Sequence, residues 1–360
     1  MINVTKTYLP PFEKYVSTLK RAWDKAWITN NGELVKELEA KLKEYLGVKH
    51  LLFCNNGTVV LQMALKAFGI TKEVITTPFS YVATTNAILW EGCKPIFVDI
   101  EPETFCIDSH KIEEAITENT QAILATHVYG YPCNVEKIES LAKKHKLYVI
   151  YDGAHAFGCS LNGKSLLNFG DISTCSFHAT KLFHSVEGGC IITNDDEIAQ
   201  KLMLFRQFGH IGDEYYSIGI NGKNSEFHAA MGLCVLDDIV DIINDRKRIF
   251  SLYDKELNKL NLRRPVVADF EFSYNYSYYP IFFHSEECML NTKESLSKEG
   301  VNTRRYFFPS LNKLPYLNTQ TCELSEKYSN HVLCLPLYHG LSEADVLHIC
   351  TIINKSVGTN

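Results

Sequence analysis

The sequence predicts an α/β fold built around a mostly parallel sheet. Short apolar runs rich in β-branched residues recur along the first 245 or so residues, and amphipathic helical stretches lie between them. Strand–helix alternation implies crossover connections, so the strands are expected to run parallel with both faces covered. The 360-residue chain is long enough for two domains, and its 46% hydrophobic and 22% charged residues are ordinary for a globular protein.

The large domain is predicted from seven apolar runs and the helices between them. One helix is expected at 33–47, where leucines recur every fourth residue before Gly47, a natural helix stop. Another is expected at 135–146. The candidate strands, in chain order, are 50–55, 73–78, 95–100, 121–127, 147–152, 171–177 and 189–194.

The C-terminal third differs in composition from the rest. The periodic segment 226–260 is too long for one compact helix and is expected to lead into a second domain. The aromatic-rich segment FEFSYNYSYYPIFF (270–283) follows, then a helix-like stretch at 291–300 and a last helix near 342–354. We therefore predict a large α/β domain with the N-terminal segment at 1–245 and a smaller α+β domain at 246–360.

Composition argues against several classes of function. The net charge of −6, with no long run of one sign, argues against nucleic-acid binding as the main task. No apolar stretch is long enough to span a bilayer, and the N-terminus lacks the layout of a signal peptide. The twelve cysteines lie scattered in apolar runs without a CxxC, which predicts buried reduced thiols, no metal site and a cytoplasmic protein.

The segment SFHATKLFHSVEGG (176–189) places Lys181 directly after a strand that looks buried, between Phe177 and Phe183. A lysine at a strand end most often reaches out to solvent. The other interpretation is that its amine is held in a pocket for chemistry. Because ligands of open parallel sheets bind beyond the carboxyl ends of the strands, the residues that follow the other strands bear on this choice.

Other strand ends carry polar groups of complementary chemistry. Gly57 and Thr58 begin an apolar helix whose free N–H groups suit a phosphate, although an ordinary helix cap would look the same. Asp152 ends an apolar strand, where it needs a cationic partner, either an arginine or a protonated ring nitrogen. Ser176 adds a hydroxyl beside Lys181.

This combination is what pyridoxal phosphate requires. A lysine amine binds the aldehyde, an aspartate keeps the pyridine nitrogen protonated, and helix N–H groups with a hydroxyl hold the phosphate. The released amine then moves a proton, for which burial and cationic neighbours must lower its pKa.

The sequence resembles the DegT/DnrJ/EryC1/StrS sugar aminotransferases of fold type I over nearly the whole chain. The resemblance implies a pyridoxal phosphate enzyme with a large domain and a smaller C-terminal one. The matching segments, in order, are NNGTVVLQMAL, TTPFSYVATTNAIL, PIFVDIEPETFCID, HVYGYPCNVEKI, VIYDGAHAFG, SFHATKLFHSVEGG, GINGKNSEFHAAMG and VLCLPLYHGLS.

The resemblance implies a role for each matching residue. Lys181 is the Schiff-base lysine, and Asp152 pairs with the pyridine nitrogen. Tyr81 matches the aromatic residue that stacks on the cofactor ring, a position where plain core packing is the alternative. His155 matches the position, often Gln or His, that contacts the 3′-oxygen. The implied phosphate contacts are Gly57, Thr58 and Ser176.

The resemblance also implies a homodimer with composite sites, because Asn221 matches an asparagine that reaches the phosphate of the neighbouring subunit. Taken alone, its Asn-Gly pair would indicate a turn. Two departures are visible. Lys223 stands where the family often has arginine, and Ser310 and Leu311 stand where many members have a histidine. Relatives that lack the Schiff-base lysine are dehydratases, but this chain keeps Lys181.

As substrates the resemblance implies L-glutamate and a nucleotide-linked ketosugar. FHATKLFHSVEGG with RRYFFPSLN resembles members that convert dTDP-4-keto-6-deoxyglucose to dTDP-4-amino-4,6-dideoxyglucose for O-antigen. Arg304, Arg305 and Lys223 could bind the diphosphate or could be solvated surface residues. His184 is expected to face the sugar, with packing as the alternative.

Three other interpretations remain to be compared. The enzyme could act on a 3-ketosugar or on a UDP- or GDP-linked 4-ketosugar. A non-catalytic, ligand-sensing protein on the same fold would be expected to lack Lys181 and Asp152, which are both present. A nicotinamide-dependent dehydrogenase would need GxGxxG after the first strand, where this chain has NNGTVV.

Overall fold

The computed structural model describes residues 1–267, 271–317 and 319–358. Its strands are short. In chain order they are β1 (His50–Cys54), β2 (Glu73–Thr76), β3 (Lys94–Phe97), β4 (Thr120–Thr126), β5 (Tyr148–Asp152), β6 (Ser160–Leu161), β7 (Lys164–Ser165), β8 (Ile172–Ser176), β9 (Gly189–Thr193), β10 (His210–Ile211), β11 (Glu214–Tyr215), β12 (Phe272–Ser273), β13 (Tyr279–Phe282) and β14 (Val332–Leu335).

The helices alternate with the strands of the large part and dominate the C-terminal part. In chain order they are α1 (Phe12–Trp23), α2 (Glu33–Leu46), α3 (Gly57–Ala67), α4 (Val82–Trp90), α5 (Val135–His145), α6 (Asp196–Arg206), α7 (Glu226–Asp237), α8 (Ile239–Leu257), α9 (Glu286–Lys298), α10 (Glu323–His331) and α11 (Glu343–Val357).

Seven strands form the main sheet, in the order β1-β9-β8-β5-β4-β2-β3. β3, β2, β4, β5 and β8 pair in parallel, whereas β9 runs antiparallel to both of its neighbours. All seven predicted strands are present, with ends within three residues of the predicted ones. The predicted mostly parallel sheet is therefore confirmed. The reversal at β9 is local, because a single loop (177–188) turns the chain from β8 into β9.

Helix α2 shows how the sequence pattern produces the packing. Leu34, Leu38, Leu42 and Leu46 are all buried, because residues four apart share one face of a helix. The helix ends at Gly47, whose φ of 62° is a conformation that glycine adopts without the steric cost of a side chain. The predicted helix and its stop are both confirmed.

The segment 226–260, predicted to be too long for one compact helix, contains two helices. α7 ends at Asp237 and α8 begins at Ile239. α8 then contributes Ile249 and Tyr253 to a separate apolar core, together with α9, α11, β13 and β14. The domain boundary at 245/246 stays a prediction, since position 245 lies inside α8. Phe270, the first residue of the aromatic-rich segment, lies outside the described residues.

All twelve cysteines are buried, as their apolar surroundings predicted. Each occupies a site where a small apolar side chain packs. Among the described residues, no helix combines the length and apolar character needed to cross a membrane.

Candidate active site

A cavity of about 330 Å³ opens at the carboxyl ends of β5 and β8. One side, which we call the strand-end wall, consists of residues at the starts of α3 and α4, at and just after the ends of β5 and β8, and in the loop 177–188. The opposite side, the C-terminal wall, consists of Tyr278, Arg304, Tyr306 and Phe307. The cavity brings together eight of the predicted residues: Gly57, Thr58, Tyr81, Asp152, His155, Ser176, Lys181 and Arg304.

Lys181 lies in a loop that two phenylalanines anchor in the core. Phe177 and Phe183 are fully buried, and their rings meet edge to face with centroids 4.7 Å apart. The Phe177 N–H donates to the Gly188 carbonyl (2.8 Å), which closes the loop. The aromatic neighbours therefore hold the lysine half-buried at the cavity. Burial lowers the pKa of the Lys181 amine, and the negative charge of Asp152 opposes that shift.

Asp152 is buried at the end of β5, with 6% of its surface exposed. Thr84 Oγ1 donates to Oδ2 (2.6 Å) and the Ala154 N–H donates to Oδ1 (3.1 Å). Across residues 1–267, 271–317 and 319–358, no arginine or lysine forms an ion pair with this carboxylate. A buried acid in that situation fits a cationic partner that belongs to a ligand, such as a protonated ring nitrogen.

The amino end of α3 lies against Ser176. A Cβ placed on Gly57 would lie 2.7 Å from Ser176 Cβ, so only glycine fits this close approach. The expectation of free amide groups is only partly correct, because Asn56 Oδ1 accepts from the amides of Thr58 (3.0 Å) and Val59 (2.8 Å). The Gly57 amide and the hydroxyls of Thr58 and Ser176 are the groups that fit a phosphate here.

His155 lies between the two walls and is almost fully buried. Its Nδ1 accepts from the Tyr129 N–H (3.2 Å), and its ring stacks on Phe307 with centroids 5.5 Å apart. Burial, reinforced by the charge of Lys181, holds the pKa of His155 well below its ordinary value. The ring is therefore neutral, and because Nδ1 is an acceptor its proton is on Nε2. Nε2 is suited to donate to a ligand oxygen.

Several of the other residues that line the cavity are aromatic. Tyr81 stays 59% exposed at the start of α4, available to stack on a flat ligand. Sequence reasoning missed Tyr278, Tyr306 and Phe307 as cavity residues. The Tyr129 hydroxyl donates to the Tyr306 carbonyl and so ties this wall to the large part of the molecule. The aromatic richness of 270–283 was the available signal for Tyr278.

Two predicted substrate residues do not face the cavity. His184 is fully buried, Nε2 donating to the Tyr8 carbonyl (2.7 Å) and Nδ1 accepting from the Val186 N–H (3.2 Å). The expectation that it faces the sugar is wrong, because both ring nitrogens are used by the backbone. Arg305 is also a structural residue. Its guanidinium donates a hydrogen bond to Glu286 Oε1 (3.0 Å) and lies 3.6 Å from the centroid of the Phe308 ring.

Asn221 and Lys223 lie apart from the cavity within one chain. Asn221 is exposed and its carbonyl accepts from Asn55 Nδ2 (3.2 Å). Lys223 Nζ lies 4.8 Å from the centroid of the Phe208 ring, and burial with the nearby charge of Arg206 lowers the pKa of Lys223. A contribution of Asn221 to a neighbouring subunit's site therefore stays a prediction.

The sheet, the lysine loop and the smaller C-terminal part define fold type I of the pyridoxal phosphate enzymes. The chain belongs to the DegT/DnrJ/EryC1/StrS aminotransferase family, whose sequence model matches residues 13–354. It is 39% identical to a dTDP-4-amino-4,6-dideoxy-D-glucose transaminase of Shigella dysenteriae, over 98% of each chain. It is 33% identical to a GDP-perosamine synthase of Caulobacter vibrioides, over 92% of each.

A solved structure agrees with the fold over nearly the full length. DesI, crystallised in the presence of its TDP-sugar product, superposes with a TM-score of 0.93 at 30% identity. The match covers 99% of this chain and 93% of DesI.

Proposed function

We propose that the protein is a pyridoxal 5′-phosphate-dependent aminotransferase that moves the amino group of L-glutamate to a nucleotide-linked ketosugar. The observation that carries this proposal is that Lys181 and Asp152 share one cavity in which, among the described residues, no lysine or arginine forms an ion pair with the buried carboxylate. When bound there, pyridoxal phosphate supplies an aldehyde that takes up the amino group and a ring that accepts electrons from the substrate carbon.

Each wall residue then has a defined task. Lys181 would hold the cofactor covalently, and its free amine would move the substrate proton; its lowered pKa favours the neutral amine that this requires. Asp152 would keep the ring nitrogen protonated, and His155 Nε2–H would donate to the 3′-oxygen. Tyr81 would stack on the ring. Gly57, Thr58 and Ser176 would hold the phosphate.

For the sugar we propose dTDP-4-keto-6-deoxy-D-glucose, with dTDP-4-amino-4,6-dideoxy-D-glucose as the product for O-antigen synthesis. The 39% identity to a transaminase of that name supports this choice. Arg304 is the predicted cationic residue on the C-terminal wall, where it suits a diphosphate. A GDP-linked 4-ketosugar is the second candidate, supported by the 33% identity to a GDP-perosamine synthase.

A substrate panel tests the proposal. Purified holoprotein receives glutamate with dTDP-4-keto-6-deoxyglucose, its 3-keto isomer, or the UDP and GDP analogues, and products are identified by mass spectrometry. We expect turnover to be highest with the dTDP-4-ketosugar. Turnover of only the 3-keto or only the GDP sugar would overturn the choice of substrate. A holoprotein whose absorbance does not change with glutamate would overturn the aminotransferase proposal itself.

We also propose a homodimer in which Asn221 reaches the phosphate in the partner's cavity. Mixed dimers provide the test. In a dimer of Lys181→Ala with Asn221→Ala subunits, one site keeps both groups and the other loses both. After subunit exchange between the two inactive variants, about one quarter of wild-type activity should return, since half of the dimers are mixed and have one intact site. No recovery would contradict the shared site. The cytoplasmic location remains a prediction.

A further inference from the structure

The N-terminal segment, residues 2–8, joins the C-terminal part of the molecule to the loop that carries Lys181. At its start the Ile2 N–H donates to the Gly300 carbonyl (2.8 Å), and the Asn302 N–H donates to the Ile2 carbonyl (2.7 Å). Ile2 also packs against the C-terminal core. The beginning of the segment is thus fixed to the part of the chain that supplies the C-terminal wall.

The end of the segment is fixed to the lysine loop. Thr7 Oγ1 donates to the Ala179 carbonyl (2.9 Å), and His184 Nε2–H donates to the Tyr8 carbonyl (2.7 Å). Between the attachment at Ile2 and those at Thr7 and Tyr8, Thr5 lines the cavity itself. Two successive residues of the segment therefore hold the loop on either side of Lys181, three residues from it in one direction and two in the other.

His184 is well suited to a permanent attachment. The Val186 N–H donates to its Nδ1 (3.2 Å), which fixes the ring proton on Nε2, where it bonds the Tyr8 carbonyl. The side chain is fully buried, and burial lowers its pKa, so the ring stays neutral and the donor persists at ordinary pH. The backbone partners of both ring nitrogens explain the position of His184 without a bound ligand.

We propose that His184 and Thr7 are positioning residues that hold the Lys181 loop against the N-terminal segment and thereby set the place of the Lys181 amine in the cavity. The proposal rests on the role proposed above for Lys181. Its physical basis is that proton transfer requires heavy atoms within hydrogen-bond reach. These two bonds add to the anchors at Phe177 and Phe183 in limiting the positions that the loop backbone can sample. The segment spans from the lysine loop to the C-terminal part, so it also relates the two walls to each other.

Matched pairs of variants test the proposal in the holoenzyme. His184→Asn keeps an acceptor near Nδ1 but loses the bond to Tyr8, whereas His184→Gln places an amide donor near the position of Nε2. Thr7→Val removes the hydroxyl at constant shape, and Thr7→Ser keeps it. We expect His184→Asn and Thr7→Val each to slow the half-reaction with glutamate about tenfold, the cost of one buried hydrogen bond. His184→Gln and Thr7→Ser should remain close to wild type.

Two further readouts separate positioning from a general loss of stability. With α-deuterated glutamate the isotope effect should rise in His184→Asn and Thr7→Val, because proton transfer becomes slower relative to the other steps. The pH at which the absorbance band of the lysine-bound cofactor changes should also move. KM for glutamate should hardly change. Thermal unfolding identifies any variant that fails to fold, and Thr7→Val, on a half-buried side chain, then carries the test.

The outcomes for the two proposals are distinct. Borohydride reduction and peptide mapping of the wild-type holoenzyme should find the adduct on Lys181; its absence there would overturn the proposed function. An adduct on Lys181 together with wild-type rates, isotope effects and spectra in His184→Asn and Thr7→Val would overturn only the positioning role. Equal defects in His184→Gln and His184→Asn, in folded protein, would also overturn it.

Discussion

The strand-end wall and the C-terminal wall of the cavity differ in how their residues are placed. On the strand-end wall, Asp152 and Ser176 are the last residues of neighbouring parallel strands, so the sheet itself brings them together. On the C-terminal wall, Tyr278 and Phe307 come from irregular segments whose position depends on how the C-terminal part packs. The positions of residues on the first wall can be predicted from local sequence patterns, whereas those on the second depend on tertiary structure. We propose that the first wall supplies the chemistry and that the second selects the substrate.

The largest expected effect tests the chemistry assigned to the strand-end wall. Lys181→Ala should lower turnover about 10³-fold, because it removes the group that moves the proton. The fold should be retained, and Lys137→Ala, an exposed lysine on α5, serves as the matched control. Steady-state kinetics with glutamate and the ketosugar measure the effect. Near-normal rates in the alanine variant would remove Lys181 from the mechanism.

A smaller effect is expected at the close contact between α3 and β8. Gly57→Ala places a methyl group 2.7 Å from Ser176 Cβ and should raise the Kd of the cofactor about tenfold. In a Ser176→Gly background the same substitution should cost much less, since the obstructing Cβ is gone. Fluorescence titration of each apo-protein with pyridoxal phosphate measures the Kd in both backgrounds. Equal costs in the two backgrounds would show that this contact does not shape the phosphate site.

A modest effect is expected on the C-terminal wall. Phe307→Leu removes the ring that stacks on His155. It should lower kcat about threefold, the scale of one aromatic contact. KM for the nucleotide sugar should change more than KM for glutamate if this wall selects the sugar. Loss of activity as large as that of Lys181→Ala would contradict the division of tasks between the walls.

The smallest effect concerns pH and stability. The folded-state pKa of His155 lies well below its ordinary value of 6.5, so the unfolded chain binds more protons below that pH and stability falls as pH drops. Between pH 7.5 and 5.5 the loss from this group is about 1.4 kcal/mol in the free energy of unfolding. His155→Gln should lack this part of the pH dependence in urea unfolding of the apo-protein. An unchanged dependence would mean that His155 is solvated.

The sequence predicted those features that depend on periodicity and strand ends. All seven sheet strands and the buried α2 leucines follow from local patterns. So do the position of Asp152 at the end of β5 and that of Lys181 in the loop after β8. His184 was expected to face the sugar, and Arg305 was one candidate for the diphosphate; both are structural instead. Proximity in sequence to Lys181 or Arg304 did not indicate which way a loop side chain points, since partners such as Tyr8 and Glu286 are distant in the chain.

The hydrogen bonds of the Asn56 side chain also bear on the protein before the proposed cofactor binds. Because its oxygen accepts the amides of Thr58 and Val59, those two first-turn donors are satisfied when no anion is bound. The Gly57 amide is left for the proposed phosphate. We therefore expect folding and uptake of the proposed cofactor to be separate events, so that the apo-protein folds and can be loaded afterwards.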